Sequence, residues 1–443
     1  MRTTTILPAL AIAAVAGAQG PLQMSLQQAM DMAAQQSYAV QASELEAEKA
    51  RQKVKEITAI GLPQINGEVG LTNYIDVPTT LIPNFFTPGE GPEYIAASFG
   101  VPWSAKAGLS LTQLIFDGSY LVGLQATRAL SEQSQLDLQK AQADARNQAA
   151  KAYFGVLAAE EGARLAGEGV PLMEKNLREV TAMMESGFME QTDVDRITIQ
   201  FEQVKAQERS YRSQAEVARM LLALTLGVPQ GTPITLTDGL EGILEDGTEK
   251  GLTEQTLDPG THVEQLQANS LVRLQELNMR NEKAKALPNL AGFFSHQQQW
   301  NGPDFEPFGG PYDWYPATLW GLTLNVPLFS SGMRYHRVQQ ADLTLKQVEV
   351  NRTATEQRLR AEVEQQRTAA RTATDNFQTE KRNLELARNI FDRTTIKFNN
   401  GSAASFELTQ EQGNYLLAQQ GYVQRLVQLL MARADLRKAL DIY

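Results

Sequence analysis

The chain has no cysteine among its 443 residues and only three histidines. The missing thiols exclude disulfides, thiol nucleophiles, cysteine-based metal sites and a lipidated N-terminal cysteine. His262, His296 and His336 stand far apart, with no His-x-x-x-His or Glu-x-x-His spacing, so no transition-metal site is expected. No G-x-S-x-G, Walker loop or strand-linked G-x-G-x-x-G is present. No catalytic residue and no cofactor are therefore expected. The formal charge of −11 comes without a basic cluster, which argues against a nucleic-acid partner. Beyond the N-terminus no apolar run reaches the ~18 residues of a membrane-spanning helix. Transmembrane β-strands escape that criterion, because about 9–11 residues with one apolar face suffice.

What is present begins with Met1-Arg2, an apolar run from Ile6 to Val15, and Ala16-Gly17-Ala18. A charged start, a short apolar core and an A-x-A site describe a cleavable secretory signal over residues 1–18. Beyond it lies a repeat. Ala59-Ile60-Gly61-Leu62-Pro63 is echoed by Ala284-Lys285-Ala286-Leu287-Pro288, and Gly108-Leu109-Ser110-Leu111 by Gly321-Leu322-Thr323-Leu324. Ser186-Gly187 is echoed by Asn400-Gly401. From Gly108 to Gly187 and from Gly321 to Gly401 the spacing is nearly constant, whereas the stretch before each strand differs in length. Length varies where a loop is expected and holds where something rigid is expected. The organisation read from this is a signal over 1–18, a first repeat over 19–228, an inter-repeat segment over 229–261 and a second repeat over 262–443.

Each repeat reads as helix, strand, loop, strand, very long helix, turn and returning helix. The leading helices are expected over Leu26–Ile60 and His262–Ala286, each ending at a Leu-Pro, where helix is disfavoured. Alternation marks the strands: Ile65, Val69, Leu71 and Ile75 share one face, and Trp320, Leu322, Leu324, Val326 and Leu328 another. The stretch around Leu290–Trp300 alternates less cleanly, since His296 and Gln298 fall on the apolar side. The long helices are expected over Ser119–Ser186 and Met333–Asn399, each ~100 Å at 1.5 Å per residue. Their seams step as in coiled coils: Ala141, Ala145, Ala149, Ala152, Val156 and Ala159 in one, Phe377, Leu384, Phe391 and Phe398 in the other. The returning helices carry stripes through Val194, Ile197, Val204 and Tyr211, and through Leu408, Tyr415, Tyr422 and Leu429. Gly187 and Gly401 suit the left-handed residue that ends a helix, and Thr192 and Ser405 suit the N-caps that restart one.

Four strands per chain cannot close a membrane barrel, whose minimum is about eight. Because lipid does not tolerate open sheet edges, several chains are expected to share one barrel. Eight strands from a dimer would fill the interior with side chains, while twelve from a trimer would leave a passage. The loops over 76–103 and 301–316 are rich in Pro and in aromatics such as Phe85, Phe86, Tyr94, Trp103 and Trp314, as strand ends at a bilayer interface are.

From Ser25 to Tyr443 the chain resembles the TolC-like outer-membrane efflux family. The resemblance rests on the duplicated Leu-Pro before a strand, on Phe116-Asp117-Gly118 and Phe329-Ser330-Ser331-Gly332 after the second strands, and on Gly187…Asp193-Val194 and Gly401…Glu407-Leu408. It implies an α+β membrane protein: a long helical coiled-coil barrel in the periplasm joined to a transmembrane β-barrel completed by trimerisation. It further implies a passive, non-enzymatic exit duct of a tripartite efflux or type I secretion system, in contact with outer-membrane lipid. The implied partners are two further copies, a periplasmic adaptor (membrane fusion) protein and an inner-membrane pump. Asp193, Glu407 and Glu411 are then expected at the periplasmic entrance, where like charges around a narrow axis would attract cations. The turn residues Gly187, Thr192, Gly401 and Ser405 are expected at the tip that docks the adaptor. For Asp193 and Glu407 the alternative is a first-turn carboxylate favoured by the helix dipole. The archetype's basic latch position holds Ala403 here, and its second ring carboxylate is Gln410. A secreted, non-inserted periplasmic coiled-coil protein is the rival reading; it leaves the strands and the duplication unexplained.

Overall fold

The structure is a computed structural model and describes residues 22–85, 92–245 and 251–442. The expected signal over 1–18, Phe86 and Pro88, part of the inter-repeat segment and Tyr443 lie outside the described residues.

The first repeat runs β1 (Leu22–Met24), α1 (Leu26–Gln36), α2 (Tyr38–Ile60), β2 (Gln64–Asn73), β3 (Thr79–Pro83), β4 (Tyr94–Ser98), β5 (Trp103–Asp117), α3 (Gly118–Glu185) and α4 (Gln191–Leu226). A joining stretch holds β6 (Ile234–Leu236) and α5 (Leu240–Glu245). The second repeat runs α6 (Val263–Ala284), β7 (Asn289–Gly302), β8 (Tyr315–Asn325), α7 (Met333–Asn399) and α8 (Ser405–Ala439). The expected order appears twice, with three differences. The leading helix expected over Leu26–Ile60 breaks at Ser37, which is buried and extended (φ −61°, ψ 144°) and accepts the Val40 N–H on its hydroxyl at 3.4 Å. A serine that bonds its own backbone competes with helix continuation. The loop over 76–103 contains the antiparallel hairpin β3–β4, and the stretch leading into α1 forms a parallel pair with β6. Four more strands than expected are therefore present among the described residues.

By contacts the chain divides into two units. One, helical, comprises residues up to Glu46, Gln135–Gln267 and Thr353 onward; the other, sheet-bearing, comprises Ala47–Ser134 and Ala268–Arg352.

In the helical unit the predicted seams are the core. Ala145, Ala149, Val156, Ala166, Leu222, Leu426 and Leu429 belong to one buried cluster, and Val194, Ile197, Val204, Phe391, Phe398, Leu408 and Tyr415 to a second. Small residues on α3 let α4 approach closely: a Cβ on Gly162 would stand 2.7 Å from the Tyr211 ring, and one on Gly169 3.4 Å from Val204. Phe377 packs on Tyr422 at 5.4 Å and Phe391 stacks on Tyr415 at 5.7 Å, which locks α7 to α8. Tyr153, fully buried, donates its hydroxyl to the Met24 carbonyl and accepts the Asp238 N–H, both at 3.3 Å, so it ties the C-terminal end of the parallel β1–β6 pair to α3. Burial pushes its phenol above the ordinary range. His262 caps α6, its Nδ1 accepting the Glu264 N–H at 3.2 Å. Glu264 in turn pairs with Lys140 at 2.9 Å and with Arg358. Burial alone would raise the Glu264 carboxyl, but the two cations outweigh it and bring it down to about 2. α3 continues through Pro171, which lies inside the helix.

In the sheet unit the strands run β2-β5-β7-β8, every neighbour antiparallel. The uncertain stretch around Leu290–Trp300 is the fully paired strand β7, with a register shift opposite Leu114 and Phe116. Pairing places Ile65, Leu111, Phe294 and Trp320 in one row on one face, and Val69, Ala107, Gln298 and Pro316 in another. The opposite face carries Asn66, Ser110, Ser295, Glu68 and Lys106, the last two paired at 2.5 Å. His296 does fall on the apolar face, where its Nδ1 lies 2.6 Å from the Thr318 hydroxyl. At the loop end Trp103, Trp300 and Phe305 cluster, with ring centroids 5.0 and 6.5 Å apart.

Candidate functional site

The two helix turns are built alike. α3 ends with the Gly187 N–H donating to the Met184 carbonyl and the Phe188 N–H to the Met183 carbonyl, both at 2.9 Å. α7 ends with Gly401 donating to Phe398 and Ser402 to Lys397, also both at 2.9 Å. This paired 5→2 and 6→1 pattern needs a left-handed residue, and Gly187 (φ 77°) and Gly401 (φ 68°) supply it. Gly187 and Gly401 thus sit where the repeat predicts.

The helix restarts differ from expectation. α4 begins at Gln191, so Thr192 is its second residue; Thr192 donates instead to the Glu190 carboxylate at 3.2 Å. Glu190 holds the N-cap position. α8 begins at Ser405 itself, and Ala404, with no side-chain cap bond, precedes it. Neither Thr192 nor Ser405 is an N-cap, because in each copy the chain turns earlier than the hydroxyl. Ser405 is buried and donates its hydroxyl to Asp193 Oδ1, 212 residues away. The same oxygen accepts from Arg196 at 3.4 Å, while Oδ2 accepts the Glu190 N–H at 3.3 Å. Asp193 thus joins the first turn of α4 to the first turn of α8. The repeat-equivalent acid, Glu407, is exposed in the first turn of α8. Glu411 lies one turn further and accepts from Asn414 at 3.2 Å. Beneath these groups Val194, Leu408 and Phe398 close the core, with Ala403 packed against them.

Two tip features escaped the sequence reading. Phe188 (83% exposed) and Phe406 (64% exposed) project from the turn and from the start of α8. Between α4 and α8 runs a groove of about 500 Å³ lined by Gln203, Gln207, Gln410, Gly413, Asn414 and Gln420. Gln420 donates to Gln207 across it at 3.2 Å. Gln203 and Gln207 share one face of α4, and Gln410 and Asn414 one face of α8, but only helix pairing assembles the groove. Among the described residues no group of His, Cys, Asp or Glu is arranged to hold a metal ion.

The sheet is the other exposed surface. Val69 (87% exposed), Trp320 (76%), Leu322, Leu324 and Ile65 lie open on its apolar face. Among the described residues β2 and β8 each pair on one side only. No helix among the described residues is long and apolar enough to cross a membrane. A one-sided apolar antiparallel sheet with open edges, carried by a chain of very long coiled-coil helices, defines the protomer of a membrane channel. The chain belongs to the outer membrane efflux protein family, whose sequence pattern matches residues 29–228 and 266–441.

Solved structures agree in fold. The chain is similar to the outer-membrane protein VceC of Vibrio cholerae (TM-score 0.67, 14% identity, 94% of this chain and 95% of that one). It is similar also to the CmeC outer-membrane channel of Campylobacter jejuni (TM-score 0.65, 15% identity, 94% and 85%). The MtrE outer-membrane channel of Neisseria gonorrhoeae gives a TM-score of 0.65 at 16% identity, covering 94% and 88%. No curated protein matches the chain in sequence. The protein is an outer-membrane exit duct of an efflux system, with its helical part in the periplasm. Its family is one of conduits, and membership sets aside the rival reading of a non-inserted coiled-coil protein.

Proposed function

We propose that three copies of the chain close one twelve-stranded barrel, and that this homotrimer is a passive duct without catalysis. The observation that carries this reading is the sheet with two open edges. β2 and β8 run antiparallel to each other across the four-stranded order, so β8 of one copy meets β2 of the next in the same antiparallel sense. A contact of that kind closes into a ring of even strand number and leaves no edge in lipid. Twelve strands give a passage where eight would give a filled interior. Residues 1–18 are the signal that exports the chain.

Gly187, Thr192, Gly401 and Ser405 build the tip that docks a periplasmic adaptor and, with it, an inner-membrane pump. Glu407 is the pore-facing acid of the entrance, supported by its exposure, and Glu411 stands behind it. Asp193, whose carboxylate is occupied by Ser405, Arg196 and a backbone N–H, sets the spacing of the two helix starts.

The mass of the detergent-solubilised protein tests the assembly; a monomeric or dimeric mass would refute it. Because the chain lacks cysteine, single cysteines placed on the β2 and β8 edges give an unambiguous second test. They should yield oxidation-dependent trimers. In planar bilayers Glu407→Gln should reduce cation selectivity, and an unchanged current removes Glu407 from the entrance.

A further inference from the structure

The two long helices, equivalent by repeat, are not equivalent in their tip-side halves. α3 carries Gly167, Gly169 and Pro171, where α7 carries Lys381, Asn383 and Glu385. Proline has no N–H, so the Gly167 carbonyl loses its helical donor, and the ring crowds that same carbonyl. Two residues earlier the Leu165 carbonyl receives an outside donor, Gln419 Nε2 at 3.2 Å. A glycine at 167 leaves the backbone freest where proline pushes on it.

The packing beyond Pro171 is weakened independently. Asn176, one and a half turns on, is 1% exposed, and its Oδ1 accepts no hydrogen bond from the protein. Buried polar groups without partners lower the cost of local opening, since water satisfies them when the helices part. The position equivalent to Asn176 in α7 is Ile390.

We propose that Gly167–Pro171 is a hinge present in the first repeat alone. The tip-side end of α3, with the first turns of α4 that pack on it, moves about this point while α7 stays a continuous rod. The two tips therefore contribute unequally to any widening at that end.

Amide hydrogen exchange by mass spectrometry on the full-length protein in detergent tests this, and needs no assumption about transport. Both helices end in the same glycine turn, so end fraying affects them alike. The amides of Leu172–Glu185 should exchange roughly tenfold faster than the equivalent Leu386–Asn399. Pro171→Ala should remove most of that difference. Gly167→Ala adds a Cβ whose nearest neighbour is the flexible Glu208 side chain at 3.9 Å, so it stiffens the same point without a clash. It should slow exchange in the same peptides. Equal exchange of the two segments in the wild-type protein overturns the hinge. So does a difference that persists in both variants.

Discussion

Gly227 offers the sharpest test of how the helical unit is fastened. It ends α4 in the left-handed region (φ 73°), as Gly187 and Gly401 end α3 and α7. A Cβ at Gly187 or Gly401 would meet nothing within 4 Å. At Gly227 it would overlap the Gln36 carbonyl oxygen, reach the carbonyl carbon at 2.9 Å and stand 3.3 Å from Ser37 Cα. Those atoms form the break between α1 and α2, which has no flexible side chain to yield. Left-handed backbone costs an alanine about 1–2 kcal/mol at all three sites. Displacing backbone at Gly227 adds about 1–3 kcal/mol, the range of overpacked cores. Gly227→Ala should therefore destabilise by about 2–5 kcal/mol, and Gly187→Ala and Gly401→Ala by about 1–2 kcal/mol each. Denaturant midpoints followed by far-UV circular dichroism of the assembled protein would report the order. A Gly227→Ala midpoint equal to that of Gly401→Ala would refute the contact.

Four further outcomes are expected. Gly162→Ala, whose methyl would strike the buried Tyr211 ring at 2.7 Å, should lose about 1–2 kcal/mol net of the helix propensity gained. In the same helix Gly155→Ala, which meets nothing within 4 Å, should gain up to about 1 kcal/mol in the same unfolding assay. Glu264 is held at about 2, below its ordinary value of 4.5. Its stabilisation is thus complete above pH 4.5 and is lost as pH falls toward 2. Glu264→Gln should cost about 1–2 kcal/mol at neutral pH, discounted for partial exposure, and should flatten the acid limb of the stability profile. Tyr153→Phe strands the Asp238 N–H and leaves the Met24 carbonyl only its bond from the Thr237 N–H, at a cost of about 1–3 kcal/mol. Limited proteolysis near β1 and β6 should accelerate in that variant while the sheet unit stays resistant.

Much of the fold was legible in the chain itself, for reasons of period. Coiled-coil seams repeat every three or four residues, so Ala145–Ala149–Val156 and Phe377–Phe391–Phe398 announced their buried faces without any partner in view. A left-handed turn leaves a glycine, and Gly187 and Gly401 kept their spacing because the helix before each is rigid. Pro171 is plain in the sequence, but only the structure shows that α3 continues through it. The break at Ser37 was not legible in the chain. A lone serine in a helical pattern is ordinary, and the bond of its hydroxyl to the Val40 N–H and the packing of Gly227 against it show only in the structure.

The candidate site divides along the same line. Sequence alone determined its position, the two glycine turns and the acids that follow them, because these depend on neighbours within one helical turn. Tertiary structure decided what each group does. The chain entered α4 at Glu190 and α8 at Ala404, so Thr192 and Ser405 became second and first helical residues in place of caps. Folding the repeats together then gave the buried Ser405 hydroxyl one acceptor, Asp193, and left its equivalent, Glu407, in solvent. Equivalent residues in duplicated sequence diverge in role because a hydrogen bond between copies has two ends, and each copy supplies a different one.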